Sequence, residues 1–358
     1  MSSVTAYRSR ALLRSYLTAG YALFIVYASL SPFSGWQEQG FDFYAVLTSP
    51  LRQTYSWFDA ISNFLAYLPF GVLMGLTLRA RLASVWAVVL ATVAGLLLSA
   101  AMEYTQMYLP NRISSNLDLL TNGLGMLNGA LLAVSLVPRT WFFYLLHWRA
   151  RFFRREHWVD FGLALLLLWM FAQVNPSLPL LGNVFISEVA RQPFMPPPVE
   201  PFSWLESLAV MLNLLMLGVL LCTLLRARRH TVAALLLVLA VIGVVKFIAA
   251  AVLLKSWALL LWLNSEAMLG LCAGVLLMFV IAGLARRYLV RLGMLVAGAY
   301  IVLAQGILDS GTPSSAMRLY QWRFGHLLNY NGLSQTVMLV FPLLLLLYLW
   351  RGARAQEE

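Results

Sequence analysis

Residues 59–78 have the sequence DAISNFLAYLPFGVLMGLTL, and Arg79-Ala80-Arg81 follow directly. A run of about 20 mainly apolar residues is long enough to cross the hydrocarbon core of a bilayer as an α-helix. A basic cluster directly after such a run is typical of the cytoplasmic end of a membrane-spanning helix. This stretch therefore predicts a transmembrane helix whose C-terminal end lies in the cytoplasm.

Runs of the same kind recur along the whole chain. Of its 358 residues, 61% are hydrophobic and only 11% are charged, whereas soluble proteins carry roughly 25% charged residues. We predict an all-α polytopic transmembrane bundle of about ten helices. The predicted spans are 15–33, 59–78, 83–107, 117–137, 158–174, 202–225, 231–254, 257–284, 288–308 and 333–351.

The basic residues predict the orientation of these spans. With the N-terminus in the cytoplasm, 18 of the 25 Lys and Arg residues fall on the cytoplasmic side, six fall outside, and Lys246 lies within a span. This bias follows the positive-inside rule and places both chain ends in the cytoplasm. It also explains the net charge of +11 without a nucleic-acid partner. We expect the first span to remain as an anchor, since no A-x-A cleavage site follows it.

An internal repeat appears when the chain is shifted by 147 residues. Residues 55–81 then align with residues 202–228 without a gap, and 11 of 27 positions are identical. Asp59 aligns with Glu206, and both segments end in Arg-Ala-Arg. We predict a tandem, parallel four-helix repeat. The predicted domains are a site-bearing unit (1–140), a degenerate copy (141–285), and two additional helices with a cytoplasmic tail (286–358).

Polar residues of the first unit cluster at the outer ends of spans two, three and four. Spacings of three or four residues place those of each span on one helix face. The candidate binding residues are Asp59, Asn63 and Tyr67 on span two; Ser99, Glu103 and Gln106 on span three; Arg112 in the following turn; and Asp118 and Asn122 on span four. Ionisable groups at membrane depth usually face a bundle interior or a wet cavity, so we predict an outward-facing polar site.

Simpler roles remain open for some of these residues. Asp59 and Asp118 suit helix N-termini, where negative charge is favourable. Asn63 and Asn122 are also typical of hydrogen bonds that hold membrane helices together. Arg112 can pair with Glu103 or receive an anionic group of a substrate.

The second unit lacks most of this cluster. Asn63 aligns with Val210 and, at a shift of 145, Glu103 aligns with Ile248. Lys246 and Glu266 are both expected to lie roughly 12–14 Å inside the membrane, from the rise per residue of a helix. We predict that they form a buried structural ion pair.

Four motifs within residues 10–137 resemble the VanZ-like family of bacterial membrane proteins. They are Ser29-Leu30-Ser31-Pro32-Phe33, Asp59-x-x-x-Asn63-Phe64-x-x-Tyr67-x-Pro69-x-Gly71, Ser99-x-x-x-Glu103-x-x-Gln106, and Leu109-Pro110-Asn111-Arg112-x-x-Ser115-x-x-Asp118-x-x-x-Asn122-x-x-Gly125. The family is named for an accessory protein of glycopeptide resistance that lowers sensitivity to teicoplanin. The resemblance implies a cell-envelope role in the cytoplasmic (inner) membrane of a bacterium, and it implies no enzymatic mechanism.

Three classes of function remain open. The first is a protein that binds an envelope amphiphile, such as a lipid-linked glycan, a lipid headgroup or a lipoglycopeptide; in an enzymatic version Glu103 acts as a general base. The second is a transporter or flippase, which the apolar cytoplasmic halves of spans two to four disfavour. The third is a scaffold for envelope biosynthesis. We expect no cofactor and no metal, since no His or Cys lies near the polar cluster.

Overall fold

The computed structural model describes residues 12–40, 42–50, 57–110, 112, 114–135, 139–154, 156, 158–186, 202–308, 313–321 and 325–354. They belong to two compact units, Met1–Trp148 (unit 1) and Arg149–Glu358 (unit 2). Every regular element in these ranges is helical, apart from two isolated β-bridges. The predicted all-α class is confirmed.

The described residues of unit 1 form four long helices and one short one. Their bounds are α1 (Leu13–Leu30), the short α2 (Phe43–Thr48), α3 (Trp57–Leu78), α4 (Ser84–Gln106) and α5 (Asn116–Ser135). The next helix, α6 (Arg139–Phe152), contains the boundary between the units. α3, α4 and α5 are long and apolar enough to cross a membrane.

Six further α-helices lie in the described part of unit 2. They are α7 (Trp158–Gln173), α8 (Trp204–Leu224), α9 (Thr231–Leu253), α10 (Ser265–Ile281), α11 (Arg286–Ile301), which continues as a π-helical segment over Val302–Ile307, and α12 (Gly325–Arg354). Four of them, α8, α9, α11 and α12, have the length and apolarity of membrane spans.

The described residues thus contain seven helices that qualify as spans. All seven coincide with predicted spans, which confirms a polytopic helical membrane protein. The other three predicted spans coincide with α1 and with the shorter apolar helices α7 and α10. The total of ten crossings stays a prediction.

One predicted boundary is wrong. The eighth span was expected to begin near residue 257, but residues 256–258 form a 3₁₀ turn and α10 begins only at Ser265. Asn264 fixes this start because its side-chain oxygen accepts a hydrogen bond from the Ala267 N–H at 2.9 Å. Glu266 therefore lies in the first turn of α10 instead of deep within a span.

The predicted Lys246–Glu266 ion pair is also wrong. Lys246 is buried, but its Nζ donates to the carbonyl oxygens of Gln173, at 2.9 Å, and Asn175, at 2.6 Å. The ammonium group thus binds the carbonyls at the C-terminal end of α7, where positive charge is favourable. The prediction failed because sequence shows the depth of a residue along its own helix but not which neighbouring helix end it meets.

Close contact between α3 and α5 organises unit 1, where these two helices form the most extensive helix pair. A methyl group on Gly125 would overlap the carbonyl oxygen of Phe64, and one on Gly129 would overlap that of Leu68. Small residues let two helix backbones approach this closely, which is a common way to hold membrane helices together. The core beside this contact contains Ile25, Tyr67, Phe70, Ala91, Met126 and Ala130.

Arginines bind the carbonyls at the opposite ends of these helices. The Arg14 guanidinium donates to the Leu76 carbonyl near the end of α3, at 3.2 Å. The Arg79 guanidinium donates to the Ala133 carbonyl near the end of α5, at 3.0 Å. Such contacts satisfy carbonyls that a helix leaves unpaired at its C-terminus.

The contact at Gly129 gives a direct test of the packing. Gly129→Ala places a methyl group against the Leu68 carbonyl and 2.9 Å from the Val72 nitrogen. We expect the free energy of unfolding to fall by about 1–3 kcal/mol, the usual cost of overpacking. The measurement is thermal unfolding in detergent micelles. Gly20→Ala is the control because nothing lies within 4 Å of that position; equal effects at both sites would contradict the packing.

Unit 2 contains an ion pair that the sequence did not reveal. Arg149 and Asp160 are both buried, and their side chains are in direct contact. Removing one partner of a buried pair leaves an uncompensated charge, which costs about 3–5 kcal/mol. We expect that loss of stability in Arg149→Met. The double variant Arg149→Met/Asp160→Leu should regain most of it, and a double variant as unstable as the single one would contradict this.

Candidate functional site

Two side-chain hydrogen bonds join the polar ends of α3, α4 and α5. Asn63 on α3 donates to Asp118 on α5, with 2.8 Å between Nδ2 and Oδ1. Asn122, one turn further along α5, donates to the Ser99 hydroxyl on α4 at 2.9 Å. The predicted i, i+4 faces therefore point at each other across the bundle.

Glu103 is the most enclosed acid of this cluster, with 5% of its surface exposed. Its Oε2 accepts a hydrogen bond from the Ser115 backbone N–H at 2.9 Å. Its own backbone carbonyl accepts one from the Ser114 hydroxyl at 2.6 Å. The segment before α5 therefore folds over the end of α4 and holds the carboxylate in place.

Arg112 and Gln106 bind the C-terminal end of α1. The Arg112 guanidinium donates to the Ala28 carbonyl at 3.2 Å, and the Gln106 amide donates to the Ser29 carbonyl at 2.9 Å. Among the described residues, Arg112 and Glu103 do not form an ion pair. Burial lowers the pKa of the Arg112 guanidinium, and the nearby Glu103 charge opposes this change. The guanidinium thus donates to a neutral carbonyl group, and it interacts electrostatically with the Glu103 carboxylate without forming an ion pair with it.

Two buried polar atoms of the cluster have no hydrogen-bond partner among the described residues: the Tyr67 hydroxyl and Oδ1 of Asn122. The Tyr67 hydroxyl lies beside Ser99 and Glu103 but makes no hydrogen bond of normal geometry with either side chain. Buried polar groups are nearly always paired, so each exception calls for an explanation, such as a bound water or ligand.

Asp59 lies in the first turn of α3, half-buried and close enough to Asp118 for their charges to interact. Both acids lie at helix N-termini, where the helix dipole favours them. Asp118 also accepts the interhelical bond from Asn63. A favourable position at a helix N-terminus can thus explain Asp59. It does not explain the bond that Asp118 accepts from another helix.

All nine predicted site residues lie at this one end of unit 1: Asp59, Asn63, Tyr67, Ser99, Glu103, Gln106, Arg112, Asp118 and Asn122. Sequence reasoning missed the backbone groups that complete the cluster, namely the carbonyls of Ala28 and Ser29 and the N–H of Ser115. The adjacent serines Ser114 and Ser115 were the available signal. Asn111, quoted in the fourth motif, lies outside the described residues.

A family model described as VanZ/LLP1 matches residues 8–143. Unit 1 carries a VanZ-like domain. The match confirms the resemblance inferred from the four motifs, and it ends close to the boundary of unit 1 at Trp148. No curated protein and no solved structure matches the chain. The polar cluster thus lies within the VanZ-like domain, between three helices that all belong to it.

The Asn63–Asp118 bond can be measured with a double-mutant cycle. A hydrogen bond to a charged group contributes about 1.5–3 kcal/mol, so Asn63→Ala and Asp118→Ala should be non-additive by a similar amount. The measurement is the unfolding free energy of both single variants and the double variant. Asn128→Ala replaces Asn63→Ala in a control cycle because Asn128 is exposed and donates only within α5. Full additivity in both cycles would contradict the interaction.

Proposed function

We propose that the VanZ-like domain binds the anionic headgroup of an envelope amphiphile at the polar ends of α3, α4 and α5. The nine site residues form a polar layer at this end of the domain. The strongest support for the proposal is that this layer leaves some of its buried polar atoms without hydrogen-bond partners among the described residues. Within the part of unit 1 that the structure describes, it holds a half-buried guanidinium without an ion pair, a buried carboxylate, and atoms of Tyr67 and Asn122 without hydrogen-bond partners. In this proposal Arg112 binds the anionic group, while Asp59, Asn63 and Asn122 contact polar substituents.

The orientation is part of the same proposal. Ten crossings with both chain ends in the cytoplasm account for the bias of basic residues, 18 against six. The polar layer then faces away from the cytoplasm in the cytoplasmic membrane of a bacterium. A lipid or lipid-linked glycan of the outer leaflet would reach it without crossing the membrane.

The duplication is likewise proposed. In unit 2, α8 and α10 form the most extensive helix pair, and they correspond to α3 and α5 under the shifts of 147 and 145 residues. Arg79, of the first Arg-Ala-Arg, donates to the Ala133 carbonyl near the end of α5. Arg228, of the second, donates to the Leu284 carbonyl just after α10. One arginine of each Arg-Ala-Arg thus binds a carbonyl near the end of the corresponding helix, although Arg79 aligns with Arg226 and not with Arg228.

Binding is favoured over transport by the packing beyond the polar layer. Gly71, Gly125 and Gly129 bring the α3 and α5 backbones into contact there. Met126 fills the space beside Gly95 of α4, and it is fully buried. A transporter or flippase needs a polar path to the other membrane face, which this packing closes. A scaffold role would give no reason for the buried atoms of Tyr67 and Asn122 that lack hydrogen-bond partners among the described residues.

A catalytic version of the proposal gives Glu103 the role of general base. Its burial favours this role, because a carboxylate taken out of water binds a proton more readily. The Ser115 N–H contributes by holding the carboxylate in one orientation. The role in the cell envelope and in teicoplanin sensitivity comes from the family resemblance alone.

Arg112→Ala tests the headgroup site. We expect it to lower the amount of copurified anionic lipid or glycolipid about tenfold, equivalent to about 1.4 kcal/mol, and to abolish any effect of the protein on teicoplanin sensitivity. The measurements are mass spectrometry of lipids bound to the purified protein and growth on teicoplanin. Arg81→Ala is the matched control, since Arg81 is exposed at the opposite end of the domain.

Glu103→Gln separates binding from catalysis. The glutamine side-chain oxygen still accepts the Ser115 N–H, so the fold and lipid binding should persist. A loss of the growth effect with lipid retained would favour the catalytic version. If both variants bind lipid and affect growth as the wild type does, the polar layer is structural and the proposal fails.

A further inference from the structure

Three connections between helices meet at one end of unit 2. An antiparallel bridge between Phe153 and Leu225 joins the segment after α6 to the segment after α8. The segment between α10 and α11 is joined to them because the Arg228 guanidinium donates to the Leu284 carbonyl at 2.9 Å. These contacts bring together parts of the chain that are distant in sequence.

Each of the three connections contributes a half-buried arginine: Arg154, Arg228 and Arg286. Arg154 is held in place because its Nε donates to the Leu225 carbonyl at 3.3 Å. The Arg286 guanidinium lies over the Trp158 ring, 5.2 Å from the ring centroid, in a cation–π contact. Arg286 is also close enough to Arg154 and Arg228 for their charges to interact. The fold thus gathers three guanidinium groups, and carbonyls or a ring orient each of them.

The described residues place little negative charge beside these arginines. Glu156 is exposed, and its Oε1 lies 4.0 Å from Nη1 of Arg154. Asp160, at the start of α7, is bound to Arg149 instead. Like charges repel one another, and water screens that repulsion less where the groups are partly buried. An anion bound between the guanidinium groups would offset the repulsion.

Membrane orientation alone does not explain this arrangement. The positive-inside rule needs basic residues near the membrane, and the exposed residues Arg226, Arg229 and Arg287 of the same segments already provide them. A guanidinium has five N–H donors. Among the described residues, the side chain of Arg228 makes one hydrogen bond, through Nη1, and that of Arg154 makes one, through Nε. Most of their donors are therefore left for water or for a ligand.

The number of guanidinium groups indicates the chemistry of the ligand. Arginine forms charge-assisted, often bidentate hydrogen bonds with carboxylate and phosphate groups. A carboxylate has only two oxygens, whereas a phosphate offers more acceptors around a tetrahedral centre. Donors that come from three separate segments therefore suit a phosphate better than a carboxylate.

The surroundings of the cluster favour a lipid as the source of the phosphate. The Trp158 ring also packs against Tyr348, with 5.1 Å between the centroids, so the C-terminal end of α12 lies beside the cluster. Phe152, Tyr288 and Trp350 are exposed at the same helix ends. Such aromatic residues are typical of the membrane–water interface. Basic pockets between membrane helices at this level bind anionic lipid headgroups.

We propose that Arg154, Arg228 and Arg286 bind the phosphate of an anionic phospholipid headgroup where the three connections of unit 2 meet. With the orientation proposed above, this lipid belongs to the cytoplasmic leaflet. The site is separate from the polar layer of the VanZ-like domain and does not depend on its function. It gives the second unit a binding function of its own.

The full-length protein in nanodiscs of equal phosphatidylglycerol and phosphatidylcholine provides the test. All proteins carry Arg112→Ala, so that the site proposed for the VanZ-like domain does not contribute. Native mass spectrometry should show phosphatidylglycerol retained about tenfold more strongly than phosphatidylcholine, whose choline cation cancels the phosphate charge. Arg154→Gln/Arg228→Gln should remove this preference. Arg154→Gln alone should lower it about threefold, and it tests the site even if the double variant fails to fold.

Arg151→Gln/Arg229→Gln is the matched control. It removes the same charge from exposed positions of the same two segments and should keep the preference. Equal retention of the two lipids in the parent protein would overturn the proposal, as would an equal loss in the control pair and the test pair. If millimolar inorganic phosphate displaces all of the phosphatidylglycerol, the lipid source is wrong; retention of the lipid under that wash supports it.

Discussion

The contact between the backbones of α3 and α5 determines the arrangement of unit 1. Without side chains at Gly125 and Gly129, α5 lies against the carbonyls of Phe64 and Leu68. At this separation the short Asn63 side chain reaches Asp118. Apolar side chains give no hydrophobic attraction between helices within lipid, so close packing and a few polar bonds must hold the domain together. The polar layer therefore depends on the glycines below it.

The two units place polar groups in their interiors differently. In unit 1 the layer around Glu103 leaves two buried atoms without partners, and its arginine pairs with a carbonyl. In unit 2 the charges of Lys246, Arg149 and Asp160 all have partners within the unit, although Nε and Nη1 of Arg149 have no hydrogen-bond partner among the described residues. Fully paired networks stabilise a fold, whereas partly paired ones are typical of sites that bind something else. The polar cluster of the VanZ-like domain belongs to the second kind.

Much of the fold and of the polar cluster could be predicted from the sequence, because both follow from the spacing of residues along helices. The spans, the face shared by Asn63 and Tyr67, and the convergence of Glu103 with Asp118 follow from spacing and length alone. The partners of Lys246, the Arg149–Asp160 pair and the buried loop at residues 175–183 do not. They are contacts between different helices or helix ends, or irregular backbone without a repeating pattern, and both depend on how helices pack. Asn264 is a common N-cap residue and could have predicted the start of α10. The apolar residues on both sides of it instead suggested one continuous span.

The central claim is that the Arg112 guanidinium binds an anionic headgroup. The most direct measurement is a cryo-electron microscopy map of the protein in nanodiscs of native lipid. The account predicts density for a headgroup about 3–4 Å from the Arg112 guanidinium, at hydrogen-bond or ion-pair distance, with Tyr67 or Asn122 contacting it directly or through water. A map in which Arg112 pairs directly with Glu103, with no other density in the polar layer, would contradict it.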